Sequence, residues 1–271
     1  MIKFFADILA FNEKEIALMT RFKIGFLLES FVGPLSRIIP IFLIYYGFWN
    51  FAGAEQFGEI TQETYIVFLS AGMFVFTVFS MGCISFVSRF GAEKYWKTID
   101  ALFISPTNIF SYVIGIGLSE IIRNLPAILL FLAITFIVKP ISLPAFVAVI
   151  AIMLMVYAIC LAFGLIWGSI FLSKEGFSNF FAYANMGWNL FSCFYYPLTI
   201  FPTDFAGLIN LRLIAEINPV FQALDLVRTL WVNGTIELLP LAYVLGFAMI
   251  LQFIAAYLFK RSWKKLGVEG Y

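Results

Sequence analysis

Residues 144–173 read PAFVAVIAIMLMVYAICLAFGLIWGSIFLS, thirty positions without a charged side chain. A helix needs about 20 mostly apolar residues to cross the hydrocarbon core of a bilayer. Within lipid, every backbone N–H and C=O must find its partner inside the protein, which a helix provides along its own length. The run therefore reads as a membrane-spanning helix. Five other stretches pass the same test, at 25–51, 64–88, 109–138, 177–201 and 236–259, and with 144–172 they make six. The expected fold is all-α integral membrane, one transmembrane domain over 1–271 with six spans inside 25–259.

Composition agrees. Of 271 residues, 62% are hydrophobic and 12% charged, against about 25% charged in soluble domains; mean hydropathy is +0.97. There is no His, so the commonest metal ligand and general base are missing. No Gly-x-x-x-x-Gly-Lys-Ser/Thr loop and no nucleophile-and-base set occurs, and the chain reads as a non-enzyme without cofactor or metal sites of its own. A net charge of +1 argues against a nucleic-acid partner. Cys83, Cys160 and Cys193 are odd in number and set in apolar runs, which predicts buried, inert thiols. Gly72, Gly82, Gly115, Gly117, Gly164 and Gly168 read as places of close helix approach. Most of the aromatic residues read as facing lipid or neighbouring helices.

The start, MIKFFADILAFNEKE, carries Asp7, Glu13 and Glu15 where a signal peptide needs an unbroken apolar stretch. The first span is expected to act as its own insertion signal. Segment 1–24 reads as an amphipathic helix at the membrane interface, with Phe5, Ile8, Leu9, Ile16 and Met19 on one face and Asn12 interrupting them. With this end inside, the inner segments hold twelve Lys and Arg, among them the basic tail 260–271, and the outer ones hold three: Lys139, Arg212 and Arg228. That bias predicts both termini in the cytoplasm.

Residues 202–235, PTDFAGLINLRLIAEINPVFQALDLVRTLWVNGT, are too apolar for a solvated loop and too charged for a span. Pro219 lacks a donor and restricts Asn218, so two short helices broken at Asn218-Pro219 are expected. A re-entrant outer hairpin fits, since such backbone survives at membrane depth only inside protein or beside a cavity. Pro202, Asn218, Pro219, Asp225 and Arg228 are the candidate outer gate; an interfacial loop without a gating role is the alternative. Asn233-Gly234-Thr235 matches a glycosylation sequon but reads as a turn.

The polar insert at 91–108, GAEKYWKTIDALFISPTN, separates two apolar runs. Ser105 suits a helix N-cap and Pro106 the first helical position, so the next span is expected to open there. Tyr95, Trp96, Ile99, Leu102 and Phe103 form an apolar stripe. Such a stripe suits a short helix docking in a groove on a soluble partner, or one resting at the interface through its Trp and Tyr.

The order Glu93, Lys97-Thr98-Ile99-Asp100, Leu102, Ser105-Pro106 resembles the cytoplasmic coupling segment of ABC-2 type transporter permeases. Their pattern is a Glu, then Gly-Thr-Leu-Glu, a Leu, and Ser/Thr-Pro. Lys97 stands where that pattern has Gly, a residue that permits backbone conformations Lys disfavours. The resemblance implies a type V exporter-like permease, a membrane half paired with a second copy or paralogue in a dimer. Two separate ABC ATPase subunits would bind the ATP and Mg. It assigns 89–108 to coupling with the ATPase, through Glu93, Trp96, Thr98, Asp100, Leu102, Ser105 and Pro106. It also implies export of an amphipathic drug (multidrug type), lipid or lipid-linked cargo across the plasma membrane. A polysaccharide or O-antigen-type ABC exporter is the alternative of the same kind. A secondary carrier or a non-transporting scaffold is the alternative of another class, although neither an inverted repeat nor a coupling-ion site is evident.

Glu120 and Arg123 lie three apart in 109–138, so they share a helix face and are expected to pair. That span is about 45 Å long, more than the ~30 Å core, which puts Glu120 toward the inner side. Arg37 and Glu29 of the first span are placed to join them across helices. The resulting intramembrane ion pair, Glu120, Arg123 and Arg37, reads equally as structural and as a substrate contact.

Overall fold

A computed structural model describes residues 2–33, 36, 39–40, 43, 47, 62–98, 101, 105, 107–173, 178–203 and 210–269, and among these there is no strand. Helix α1 (Ile2–Thr20) leads into α2 (Lys23–Leu27) and a π-helical turn at Leu28–Val32. Then come α3 (Gln62–Tyr95), α4 (Ile109–Val138), α5 (Leu143–Ser173) and α6 (Ser178–Phe191). A 3₁₀ turn at Leu198–Ile200 precedes α7 (Leu211–Ile217), α8 (Pro219–Asn233) and α9 (Leu238–Glu269).

Among the described residues, four helices contain stretches long and apolar enough to cross a membrane: Thr64–Tyr95, Ile109–Val138, Leu143–Ile170 and Leu238–Lys264. Of the expected span at 25–51, residues 25–33 are described without a break and the rest only at 36, 39–40, 43 and 47. The one at 177–201 differs from expectation, because helix covers only the 14 residues of α6. That is about 21 Å, short of a ~30 Å core. Cys193 takes φ 53, a left-handed conformation that ends a helix, and Pro197 has no donor with which to resume one.

Helix α3 is the axis of the bundle: its apolar window is 78% buried, against 17% for α9. A Cβ on Gly82 would stand 2.5 Å from the Cys160 Cβ, and one on Gly164 would stand 2.7 Å from the carbonyl oxygens of Gly82 and Cys83. Glycine at both positions lets α3 and α5 touch backbone to backbone, the small-residue packing that holds helices together in lipid. Gly117 does not serve this purpose. A Cβ there would make ordinary contact with Leu161 at 3.4 Å, and its carbonyl accepts the Tyr157 hydroxyl at 2.6 Å. The three cysteines are free and buried, as expected. Helix α9 buries Val244, Ala248, Ala255 and Phe259, a helical stripe against α5.

Helix α1 packs along the first turns of α4. The Ser111 hydroxyl donates to the Phe4 carbonyl at 3.4 Å, and Phe11 meets Tyr112 edge to face at 5.2 Å. This splits the expected apolar stripe. Ile8 is buried against α4, whereas Phe5 and Leu9 are 59% and 64% exposed. The wall that α1 meets is part polar, so its inward face carries the carboxylate of Glu15 as well as Ile8.

Helix α8 lies between α3, α5 and α9 with ten of its 15 residues buried. Its C-terminal end is clasped to the end of α4: Lys139 Nζ donates to the Val232 carbonyl at 2.9 Å, and Trp231 Nε1 donates to the Lys139 carbonyl at 2.8 Å. Gly234 at φ 71 closes the helix with its N–H on the Leu230 carbonyl at 3.0 Å. Asn233-Gly234 is therefore the turn its sequence suggests.

Candidate functional site

Helix α3 runs without a break into the polar insert, so the first part of segment 89–108 is the last two turns of a 34-residue helix. It stops at Lys97, which adopts φ 54. The Thr98 N–H bonds the Glu93 carbonyl at 3.0 Å and the Lys97 N–H bonds the Lys94 carbonyl at 3.2 Å. These crossed bonds form a Schellman cap, whose left-handed position favours Gly. The site where the ABC-2 pattern has Gly is thus a left-handed helix terminator, and here Lys fills it.

Just before Lys97, Tyr95 and Trp96 are 80% and 71% exposed, set edge to face at 5.3 Å. Thr98 is also exposed. Asp100, Leu102 and Pro106 lie outside the described residues. Ser105 does not cap α4. The cap is Asn108, whose side chain accepts the Phe110 N–H at 2.9 Å. Ser105 is occupied locally: its hydroxyl accepts the Thr107 N–H at 3.3 Å and bonds the Thr107 hydroxyl at 2.5 Å. A short Ser side chain reaches the backbone two residues on, and that local bond competes with capping.

Glu93 is 8% exposed and points into the protein. It receives Lys14 Nζ at 2.5 Å and the Thr98 hydroxyl. From there an ionic chain crosses three helices. Lys14 lies 3.9 Å from Glu15, Arg89 Nη1 lies 2.9 Å from Glu15, Arg89 Nη2 lies 3.4 Å from Glu120, and Arg123 Nη2 lies 2.6 Å from Glu120. The expected Glu120–Arg123 pair is present. Arg37 and the Glu29 side chain lie outside what is described. Sequence reading missed Lys14, Glu15 and Arg89, although a Glu on the inward face of an amphipathic helix was a signal. Burial raises the Glu15 carboxyl above the ordinary carboxylate range, opposed first by Arg89 and then by Lys14. The three acids and three bases balance. Removing one partner of a buried pair leaves an uncompensated charge, at a cost of about 3–5 kcal/mol for fully buried pairs.

At the opposite end of α3, α7 and α8 meet at Asn218-Pro219 as expected. Asn218 caps α8 through the Val220 N–H at 3.0 Å, accepts Trp188 Nε1 at 2.8 Å and donates to the Ser192 hydroxyl at 2.9 Å. Arg228 is 7% exposed. Its Nη2 donates to the carbonyls of Cys193 (3.1 Å) and Phe194 (3.0 Å), and its Nε to that of Phe68 (3.4 Å). The guanidinium also stacks 3.5 Å over the Phe68 ring. The Cys193 and Phe194 carbonyls are ones that the early end of α6 leaves without helical donors. A Cβ on Gly72 would fall 1.9 Å from the Phe194 oxygen, so only Gly lets this turn reach α3. The five candidate gate residues therefore divide. Asn218, Pro219 and Arg228 join one buried region, whereas Asp225 and Pro202 are exposed. Among the described residues, Asp225 and Arg228 form no salt bridge.

No curated protein matches the chain. The family model for the ABC-2 type transporter matches residues 14–232. The match begins at Lys14 of the ionic chain and ends at the last turn of α8. It takes in both arginine clusters and the Schellman-capped segment between α3 and α4. The chain belongs to the ABC-2 type transporter family and is the membrane permease of an ABC transporter, not its ATPase.

Proposed function

We propose that this permease exports an amphipathic compound, a drug or lipid, driven by two separate ATPase subunits that bind ATP and Mg. One observation carries the docking site. Helix α3 has 34 residues, about 51 Å, so it extends some 20 Å beyond a ~30 Å hydrocarbon core. It ends in the exposed pair Tyr95 and Trp96. Exposed aromatics at the tip of a rigid rod suit a hydrophobic groove on a soluble partner. Glu93 then acts from behind, holding the tip to α1, and Trp96 makes the contact. A second permease, identical or paralogous, completes the path. The termini lie in the cytoplasm of a cell whose plasma membrane holds the complex, and the α7–α8 hairpin closes the outer side.

The test is a mild-detergent pull-down from native membranes. The unaltered chain should retain an ATPase with a phosphate-binding loop, and Trp96→Ala should lose most of it while melting at the same temperature. Retention of the ATPase by Trp96→Ala would overturn the docking assignment. A native pull-down without any ATPase would overturn the motor.

A further inference from the structure

A cleft of about 640 Å³ opens between the α1–α2 turn and the flank of α4. One wall is apolar, with Leu18, Phe22 and Phe26, and the other presents Arg89 and Arg123. Their carboxylate partners are hidden behind them: Glu120 is fully buried and Glu15 is 2% exposed, whereas the Arg123 side chain is 30% exposed. Arg123 meets Glu120 through Nη2 alone. A guanidinium carries five N–H donors, so Nε and Nη1 have no acceptor among the described residues. Arg21 and Lys23 stand exposed at the turn above. What enters this cleft meets cations first.

The apolar surface continues from there along α4. A second cavity of about 450 Å³ is lined by Phe31, Leu125 and Leu129, and a third of about 470 Å³ by Leu129 and Phe136. Arg123 lies 15 residues before Val138, about 22 Å along the helix. With a ~30 Å core, that places its side chain within reach of the headgroup boundary on the side of the termini.

We propose that this cleft holds an anionic phospholipid of the leaflet facing the termini, its phosphate on Arg123 and an acyl chain along Leu125 and Leu129. Basic pockets between helices at that level select anionic headgroups, and the apolar run beyond them selects a lipid over a free anion. The proposal does not depend on the transport reading, since binding is measured on the chain alone.

The purified full chain in detergent is titrated with dioleoylphosphatidylglycerol or dioleoylphosphatidylcholine and read by native mass spectrometry. The glycerol lipid should bind at least about tenfold more tightly. Arg123→Gln should abolish that preference and leave the choline lipid unchanged. Gly25→Leu should lower occupancy by both lipids, because it projects into the cleft where a Cβ meets only the Phe22 Cβ at 3.8 Å. That variant leaves every ion pair intact, so it decides the matter if Arg123→Gln fails to fold. Inorganic phosphate should not compete. Equal binding of the two lipids, unchanged occupancy in Gly25→Leu, or displacement by phosphate would each overturn the proposal.

Discussion

Both ends of the α3 bundle hold arginine against buried acceptors, by different means. Near α1, Arg89 and Arg123 face the carboxylates of Glu15 and Glu120. At the far end, Arg228 faces the backbone carbonyls of Cys193, Phe194 and Phe68. Carboxylates sit on side chains that can be exchanged with their partners. Carbonyls are fixed by the backbone, and they demand the planar fork that only Arg provides. The first arrangement depends on charge and the second on shape.

Substitutions can break that distinction. The largest effect is expected at Arg228. Arg228→Ala orphans the buried carbonyls of Cys193 and Phe194 and should cost about 3 kcal/mol, seen as a lower melting temperature in detergent. Arg228→Lys should recover little of it, because a point charge does not reproduce the fork. Full rescue by Lys would show that charge alone suffices there.

A smaller effect is expected in the ionic chain. Lys14→Glu or Glu93→Lys should each cost about 1–2 kcal/mol, discounted because the Lys14 side chain is 39% exposed. The double exchange should restore most of the loss, whereas additive losses would show that the two residues are not coupled.

The smallest effect has the opposite sign. Lys97→Gly should raise stability by about 1 kcal/mol, since a side chain at φ 54 is strained and Gly is not. An unchanged melting temperature would mean that the cap is not strained.

What was legible in the sequence was local. The four long apolar helices, the break at Asn218-Pro219, the Gly234 turn and the Glu120–Arg123 pair each follow from residues within a few positions of one another. The partners of Arg89 and Arg228 were not legible. Glu15 stands 74 residues from Arg89, and Cys193 stands 35 from Arg228. Nothing in a helix period points across such distances. The cap of α4 was misread for a related reason: Ser105 and Asn108 both suit the role, and the choice falls on the residue whose own backbone is extended, at ψ 126. The end of α6 was hidden inside an apolar run, because Cys193 in a left-handed conformation leaves no mark on hydropathy.

Helix α8 is fixed at both ends to different helices, by Asn218 to α6 and by Trp231 and Lys139 to α4. A beam pinned at two supports does not hinge between them. This end of the bundle is thus braced like a trussed frame, and parting α4 from α6 would have to break both joints. Tilting the whole frame about α3 breaks neither. Any opening on that side therefore moves this frame as a single body.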